Sequence, residues 1–353
     1  TTFSGSGSTR RQIPVPDSLR SNVQLNQALV TFQRAALSAR TIGSYSTGVR
    51  AWLRFTALSE IPGQSTSHPR ISEDILIYFV THCATNLHLK YTTIKVYLAG
   101  IRNYYILGGY PNPLLTLQGQ SPLRLNYVLR GILRLQGNET RPRLPITVDI
   151  LQRLCNLLRQ GVFGPYFDLM LESVFLLAFY GFLRCSEFTC PTSTFNMQYN
   201  LCLADISVPD HAAHITIHIK ASKTDQFRKG FDLRLFPTGT PFCPVTMLQQ
   251  FLSVRHKMFP LATEPLFLLP ERTPLNRRIF TESLRILLAR IGLQPHLFAG
   301  HSFRIGAATT AASAHVPDHL IQTLGRWSSN CYRTYIRTPE SLLQHAFQKM
   351  ATS

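Results

Sequence analysis

No stretch of this chain approaches the ~20 consecutive apolar residues that a helix needs to span a bilayer, so a transmembrane anchor is not expected. The opening run TTFSGSGSTRRQ lacks the apolar core of a signal peptide and reads as a flexible leader. The seven cysteines are an odd number and lie scattered, with no CxxC pair and no zinc-ligand spacing. That argues against a disulfide framework and a metal site, and for reduced intracellular thiols. There is no glycine-rich phosphate loop and no acidic cluster suited to two magnesium ions, which disfavours metal-dependent nucleases and polymerases. Negative charge is scarce throughout: 18 Asp and Glu stand against 36 Lys and Arg, giving a formal net charge of +18.

What is present fits a folded chain with room for more than one domain. Hydrophobic residues make up 44% of the chain, too many for a disordered basic tail, and 353 residues suffice for two domains with separate cores. The basic excess favours a polyanionic partner, nucleic acid before anionic membrane. No internal repeat or low-complexity tract interrupts the chain.

Residues 1–21 read as the leader, and from about residue 22 the pattern is helical. Ile42, Tyr45, Val49, Trp52 and Leu53 follow the 3-and-4 spacing of a buried face, with Arg50 and Arg54 elsewhere, one turn apart. The run SEDILIYFVTHCATNL opens with Ser72 as an N-cap and acids in its first turn. In YTTIKVYLAGIRNYYILGGYP, Ile94, Leu98, Ile101 and Tyr105 point inward, Lys95 and Arg102 outward, and Gly108, Gly109 and Pro111 end the helix. A further helix lies in PLRLNYVLRGILRLQG. Residues 22–136 thus form a small helical domain whose basic face, with Arg50, Arg54, Lys95 and Arg102, is a candidate DNA surface.

The polar, proline-bearing run GNETRPRLP, residues 137–145, reads as a linker. The second domain, 146–353, resumes with helices in ITVDILQRLCNLLRQ and LMLESVFLLAFYGFLRCSEF. Strand alternation appears in HITIHIK and again in FDLRLF, with a short PLFLL strand later. The expected class is mainly α with a small antiparallel sheet.

The residues able to do chemistry are cations and hydrogen-bond donors. Arg184 lies in GFLRCSEF, Lys223 in the turn KASKTD, His301 and Arg304 in GHSFRIGAA, and Trp327 and Tyr335 in LGRWSSNCYRTYIRTP. A His-x-x-Arg pair shares a helix face, so both side chains can reach one anion, and arginine offers a fork that matches phosphate. HxxR alone is common and weighs little. Lys220 competes with Lys223, but alternation puts it on the strand's polar face whereas Lys223 sits at the turn; Lys223 is preferred.

The ordered combination of GFLRCSEF, a hairpin lysine, GHSFRIGAA, LGRW and YIR resembles the tyrosine recombinases, which exchange DNA strands at specific sites. With YSTGVRAWLRF, TIKVYLAGIRNYY and RLNYVLRGILR, the wording is most similar to recombinases of eukaryotic mobile elements of the DIRS, Ngaro and Crypton kinds. The resemblance covers the chain from about residue 22. It implies a helical core-binding domain followed by a catalytic domain that needs no cofactor. Arg184, Arg304, His301 and Trp327 would stabilise a scissile phosphate, with Glu187 supporting Arg184. Lys223 would act as general acid and Tyr335 as nucleophile. Trp327 stands where most members have histidine, and its indole N–H can donate but not shuttle a proton. The Trp327–Tyr335 interval of eight is one shorter than in most bacterial members. The resemblance further implies double-stranded DNA as partner, a homo-tetramer on two duplexes that associates through a C-terminal helix at about 339–351, and a nuclear location. A type IB topoisomerase and a domesticated DNA-binding protein without catalysis are the rival readings.

Overall fold

The computed structural model describes residues 15–61, 68–116, 118–137, 143–208, 214–222, 225, 229–337, and Gln344, Phe347, Gln348 and Met350. The chain divides into two compact units, Thr1–Thr140 and Arg141–Ser353. No helix among the described residues is long and apolar enough to cross a membrane.

Among the described residues the first unit is all helical: α1 (Asp17–Arg20), α2 (Val23–Ala35), α3 (Ala39–Leu58), α4 (Glu73–Thr85), α5 (Tyr91–Leu107) and α6 (Leu123–Gln136). Ser72 caps α4 by accepting the Ile75 N–H at 3.3 Å, and Glu73 in the same turn accepts the Leu125 N–H at 3.0 Å at the start of α6. The core is Trp52 on α3, Leu76, Phe79 and Val80 on α4, Ile94, Leu98, Ile101 and Tyr105 on α5, and Leu125, Leu129 and Ile132 on α6. The buried indole is satisfied by Tyr105, 3.2 Å away, whose hydroxyl donates to the Pro69 carbonyl.

On α3 the buried stripe is Gly48, Trp52 and Thr56, and Ile42, expected inside, is 38% exposed. Close approach explains the shift. A side-chain carbon at Gly48 would lie 2.7 Å from Tyr97 Cα, and one at Gly100 would lie 2.8 Å from the Tyr45 carbonyl oxygen. The two helices therefore touch backbone to backbone at Gly48 and Gly100, and Ile42 instead lines an open groove with Val30, Leu37, Tyr104 and Leu107.

The second unit contains α7 (Val148–Arg159), α8 (Pro165–Tyr180), α9 (Cys185–Phe188), β1 (Ile206–Ser207), β2 (Ile215–Ile219), β3 (Phe231–Leu235), α10 (Pro244–Met258), α11 (Arg277–Arg290), α12 (Ser302–Ser313) and α13 (Asp318–Gly325), then a 3₁₀ turn at Asn330–Thr334. Helix α8 is buried from Met170 to Phe179, as a helix apolar on every side should be. The Asp168 carboxylate accepts the N–H groups of Val162, Phe163 and Gly164, fixing the loop that feeds α8. The three strands are antiparallel in the order β1-β2-β3, with Ile217 opposite Ile206 and Leu233. Ile215, Ile217 and Ile219 face the core, as their alternation requires. The fold class is thus mainly helical with a small antiparallel sheet.

Two local expectations change. PLFLL makes isolated bridges to Cys202 and Pro274 and joins no sheet, because prolines at 265, 270 and 274 remove ladder donors. At the linker, the Leu144 and Ile146 N–H groups bond to Leu297 and Ser302, so the chain is already fastened to the second unit by residue 144.

Gly48→Ala tests the helix contact by its sign. Helix propensity alone would stabilise the variant by up to about 1 kcal/mol. The backbone collision should instead cost about 1–3 kcal/mol in thermal unfolding of the helical unit.

Candidate active site

The site is assembled from three turns of the second unit. Past the end of α8, Phe182 takes a left-handed φ of 49° and the chain reverses into α9, presenting Arg184 at its N-cap. Glu187, one turn on, accepts Arg184 Nη1 at 2.9 Å and the Arg184 main-chain N–H at 3.0 Å. The Glu187 side chain is wholly buried, and that of Arg184 is 14% exposed.

The second turn is the start of α12. His301 stands at its N-cap, half-buried, and Arg304 follows in the first turn with no solvent exposure. Sequence spacing puts both on one anion. In the structure the Arg304 fork holds two main-chain carbonyls, Phe182 through Nη1 and Gly325 through Nη2, and its Nε has no hydrogen-bond partner. Burial, with Arg184 and Arg326 alongside, pulls the Arg304 guanidinium down to about 10, so it stays charged at neutral pH.

The third turn closes α13. The Arg326 and Trp327 N–H groups bond back to Thr323 and Gln322, and Arg326 holds the left-handed position at φ 55°. Glycine is usual there, yet the glycine sits one residue earlier. A side-chain carbon at Gly325 would fall 1.6 Å from the Trp327 ring, so this glycine makes room for the indole. The Trp327 ring lies 4.3 Å from the Arg304 guanidinium carbon, and its buried Nε1 has no partner.

Tyr335 completes the cluster. Its ring is 5.1 Å from Trp327, 5.2 Å from His301 and 5.8 Å from the Arg304 guanidinium carbon. Tyr335 is half-buried, whereas Tyr332 is 2% exposed and donates its hydroxyl to Asp318 at 2.8 Å. The short Trp-to-Tyr interval is accommodated by the 3₁₀ turn, whose three-residue period sets Tyr332 and Tyr335 in line. Thus Arg184, Glu187, His301, Arg304, Trp327 and Tyr335, drawn from across more than 150 residues, meet around the same three turns.

Lys223 lies outside the described residues. Lys220 is occupied: its ammonium is 2.8 Å from Asp205, 2.7 Å from the Met197 carbonyl and 3.1 Å from Cys202 Sγ. Burial lowers its pKa, and Asp205 and Cys202 more than reverse this, leaving it raised. The segment expected as a helix over 339–351 lies outside the described residues except for Gln344, Phe347, Gln348 and Met350.

In the helical unit, Arg50, Arg54, Lys95 and Arg102 are all exposed on α3 and α5. Between these helices runs a trough of about 400 Å³ lined by Ser44, Thr47, Thr92, Thr93, Val96 and Tyr97. Arg50 donates to Thr47 at its edge, 3.2 Å away. These hydroxyls escaped sequence reading because they belong to two helices and carry no charge. Arg326 was also missed; its only signal was a place inside LGRW. Among the described residues no group of three His, Cys, Asp or Glu could hold a metal ion.

Gly325→Ala should displace the indole, shift tryptophan emission and destabilise the second unit by about 1–3 kcal/mol, read by fluorescence and thermal melting. An unchanged spectrum would contradict the packing described.

Neither family models nor curated proteins match this sequence. Solved structures do. The chain is similar to XerH site-specific recombinase bound to palindromic difH substrate in a post-cleavage complex, at 16% identity over 86% of this chain and 78% of that one, with a TM-score of 0.58. It is similar to Tn1549 transposon integrase in complex with circular intermediate DNA, at 14% identity over 83% and 89%, with a TM-score of 0.53. A lambda integrase dimer bound to a COC′ core site matches at 12% identity over 92% and 82%, with a TM-score of 0.51. At such identities the likeness is one of architecture: this chain has the fold of the tyrosine recombinases and integrases.

Proposed function

We propose that this protein cuts and rejoins duplex DNA through a covalent bond to Tyr335, catalysing site-specific recombination. The observation that carries the reading is the setting of that tyrosine. It is a half-buried phenol ringed by His301, Trp327 and Arg304, beside the unpartnered Arg304 Nε and Trp327 Nε1 donors. Buried donors without partners are costly, and an anion's oxygens would satisfy them. A cluster of arginines that outnumbers its single carboxylate is a site prepared for negative charge.

In this reading the Tyr335 oxygen attacks phosphorus, forming a phosphotyrosyl bond at the 3′ side while the bond to the 5′ oxygen breaks. His301 takes the phenolic proton, Lys223 protonates the departing 5′ oxygen, and Arg184, Arg304 and Trp327 hold the non-bridging oxygens. The intermediate keeps the phosphoester energy, so a 5′ hydroxyl of a second duplex can reverse the step without ATP. Lys220, bound to Asp205, is the poorer candidate for the acid. Arg50, Arg54, Lys95 and Arg102 would grip the DNA backbone beside the hydroxyl trough. Further proposals rest on the sequence resemblance: a mobile element of the DIRS, Ngaro or Crypton kind as the setting, the nucleus as location, and a tetramer joined through the C-terminal segment. Phe347 and Met350, 70% and 74% exposed, are apolar surface suited to such a contact.

The test is adduct trapping. Wild-type protein, incubated with a pool of nicked duplexes of randomised sequence and then denatured, should carry a covalently attached strand, with or without a metal chelator. Tyr335→Phe should bind duplex but form no adduct. Tyr332→Phe should keep the adduct while losing about 1 kcal/mol of stability with its bond to Asp318. An adduct that survives the first change and vanishes with the second moves the nucleophile by one turn. If neither change matters, this segment is not the nucleophile.

Binding itself should fall by roughly 10³ or more between 50 and 200 mM salt if six or more phosphates are engaged. A flat response in fluorescence anisotropy would contradict backbone recognition by the basic residues.

A further inference from the structure

Glu187 is divided between two guanidinium groups. Its Oε1 accepts Arg184 Nη1 at 2.9 Å, and its Oε2 accepts Arg326 Nη2 at 3.1 Å. A buried carboxylate in contact with one arginine makes a neutral pair, and the arginine's charge is then largely lost to any third group. The second guanidinium leaves the trio net positive. Arg184 can therefore satisfy Glu187 and still attract an anion.

The Nη groups of Arg326 are taken by protein acceptors. Nη1 donates to the Gly181 carbonyl at 2.9 Å, Nη2 also reaches Phe182 at 3.2 Å, and the Phe231 ring covers one face at 4.3 Å. Its side chain is 20% exposed, and its buried Nε has no hydrogen-bond partner. Phe231 is the first residue of β3, so the stack fixes the root of the β2–β3 hairpin, whose connecting segment carries Lys223. The left-handed backbone at φ 55° is a further sign of constraint, because an arginine there carries a steric cost that glycine would not. Strain of this sort persists where its surroundings demand it.

We propose that Arg326 is a positioning residue for strand cleavage: as the second counter-ion of Glu187 it keeps Arg184's charge available to the scissile phosphate. This rests on the recombinase reading above. The role is electrostatic and is exerted through Arg184, with no contact between Arg326 and the DNA.

The experiment compares Arg326→Gln, Arg326→Lys, Glu187→Gln and the double change Glu187→Gln with Arg326→Gln. The probe is a nicked duplex selected by wild type from the randomised pool, and the readouts are the first-order rate of adduct formation at saturating DNA and the affinity. Arg326→Gln should slow the step on the order of 10- to 100-fold, as loss of outer partners of a reacting group does, with affinity unchanged. Arg326→Lys keeps the charge and should recover part of the rate. In the Glu187→Gln background there is no carboxylate to offset, so adding Arg326→Gln should cost less than about threefold. Losses that multiply in the double variant, or a lysine no better than glutamine, overturn the proposal, because packing alone predicts both. Should Arg326→Gln not fold by itself, Arg326→Lys decides: a rate as low as that of Arg184→Ala overturns it. A wild type that forms no adduct removes the recombinase reading together with this one. A wild type that does, matched by Arg326→Gln, removes this one alone.

Discussion

The larger unit is organised around a charge that never meets solvent. The Arg304 guanidinium joins the Phe182 carbonyl, 122 residues away, to the Gly325 carbonyl, 21 residues away, and lies against the Trp327 ring. A buried cation held by carbonyl dipoles, with two further arginines nearby, would be costly if stability were the only purpose. Removing it would strand both carbonyls and separate the turns after α8 and α13. The geometry of Arg184, Trp327 and Tyr335 therefore depends on this contact as much as on their own side chains.

The two non-glycine residues with left-handed backbones at the site, Phe182 and Arg326, flank the same guanidinium. The Phe182 carbonyl accepts from both Arg304 and Arg326. Strained backbone, orphaned donors and crowded like charges thus converge on a few residues. Their local cost is borne by the apolar packing of α8 and its neighbours.

Much of the local structure could be read from sequence. Ser72 before two acids named a cap, the 94-98-101-105 stripe named the buried face of α5, and isoleucines at 215, 217 and 219 named a strand. Those signals are periodic or stereochemical, and they act within a turn or a strand. The open groove at Ile42 could not be read, because apolar spacing says which side of a helix faces inward but not how completely its neighbours cover it. PLFLL joins no sheet because the prolines in and around it remove the donors a ladder needs, an effect its apolar pattern hides. The six site residues drew notice through their order along the chain, and the convergence of their three turns is tertiary. Arg304's attachment to carbonyls, rather than an open fork, was illegible, since nothing in HxxR reports which groups surround the arginine. Arg326 was hidden for a similar reason: its partner Glu187 lies 139 residues upstream.

Tyr335 ends a single 3₁₀ turn instead of lying within a long helix. So short an element has little cohesion of its own, and its placement comes from side-chain anchors. Asp318 holds Tyr332, while Thr309 donates to the Tyr335 carbonyl at 3.4 Å and accepts the Arg337 N–H at 3.1 Å. The tyrosine is held by side-chain anchors on a short turn, beside the buried arginines. In the proposed cleavage, a mount of that kind would let the phenolic oxygen follow the phosphorus atom while the charges around it stay still.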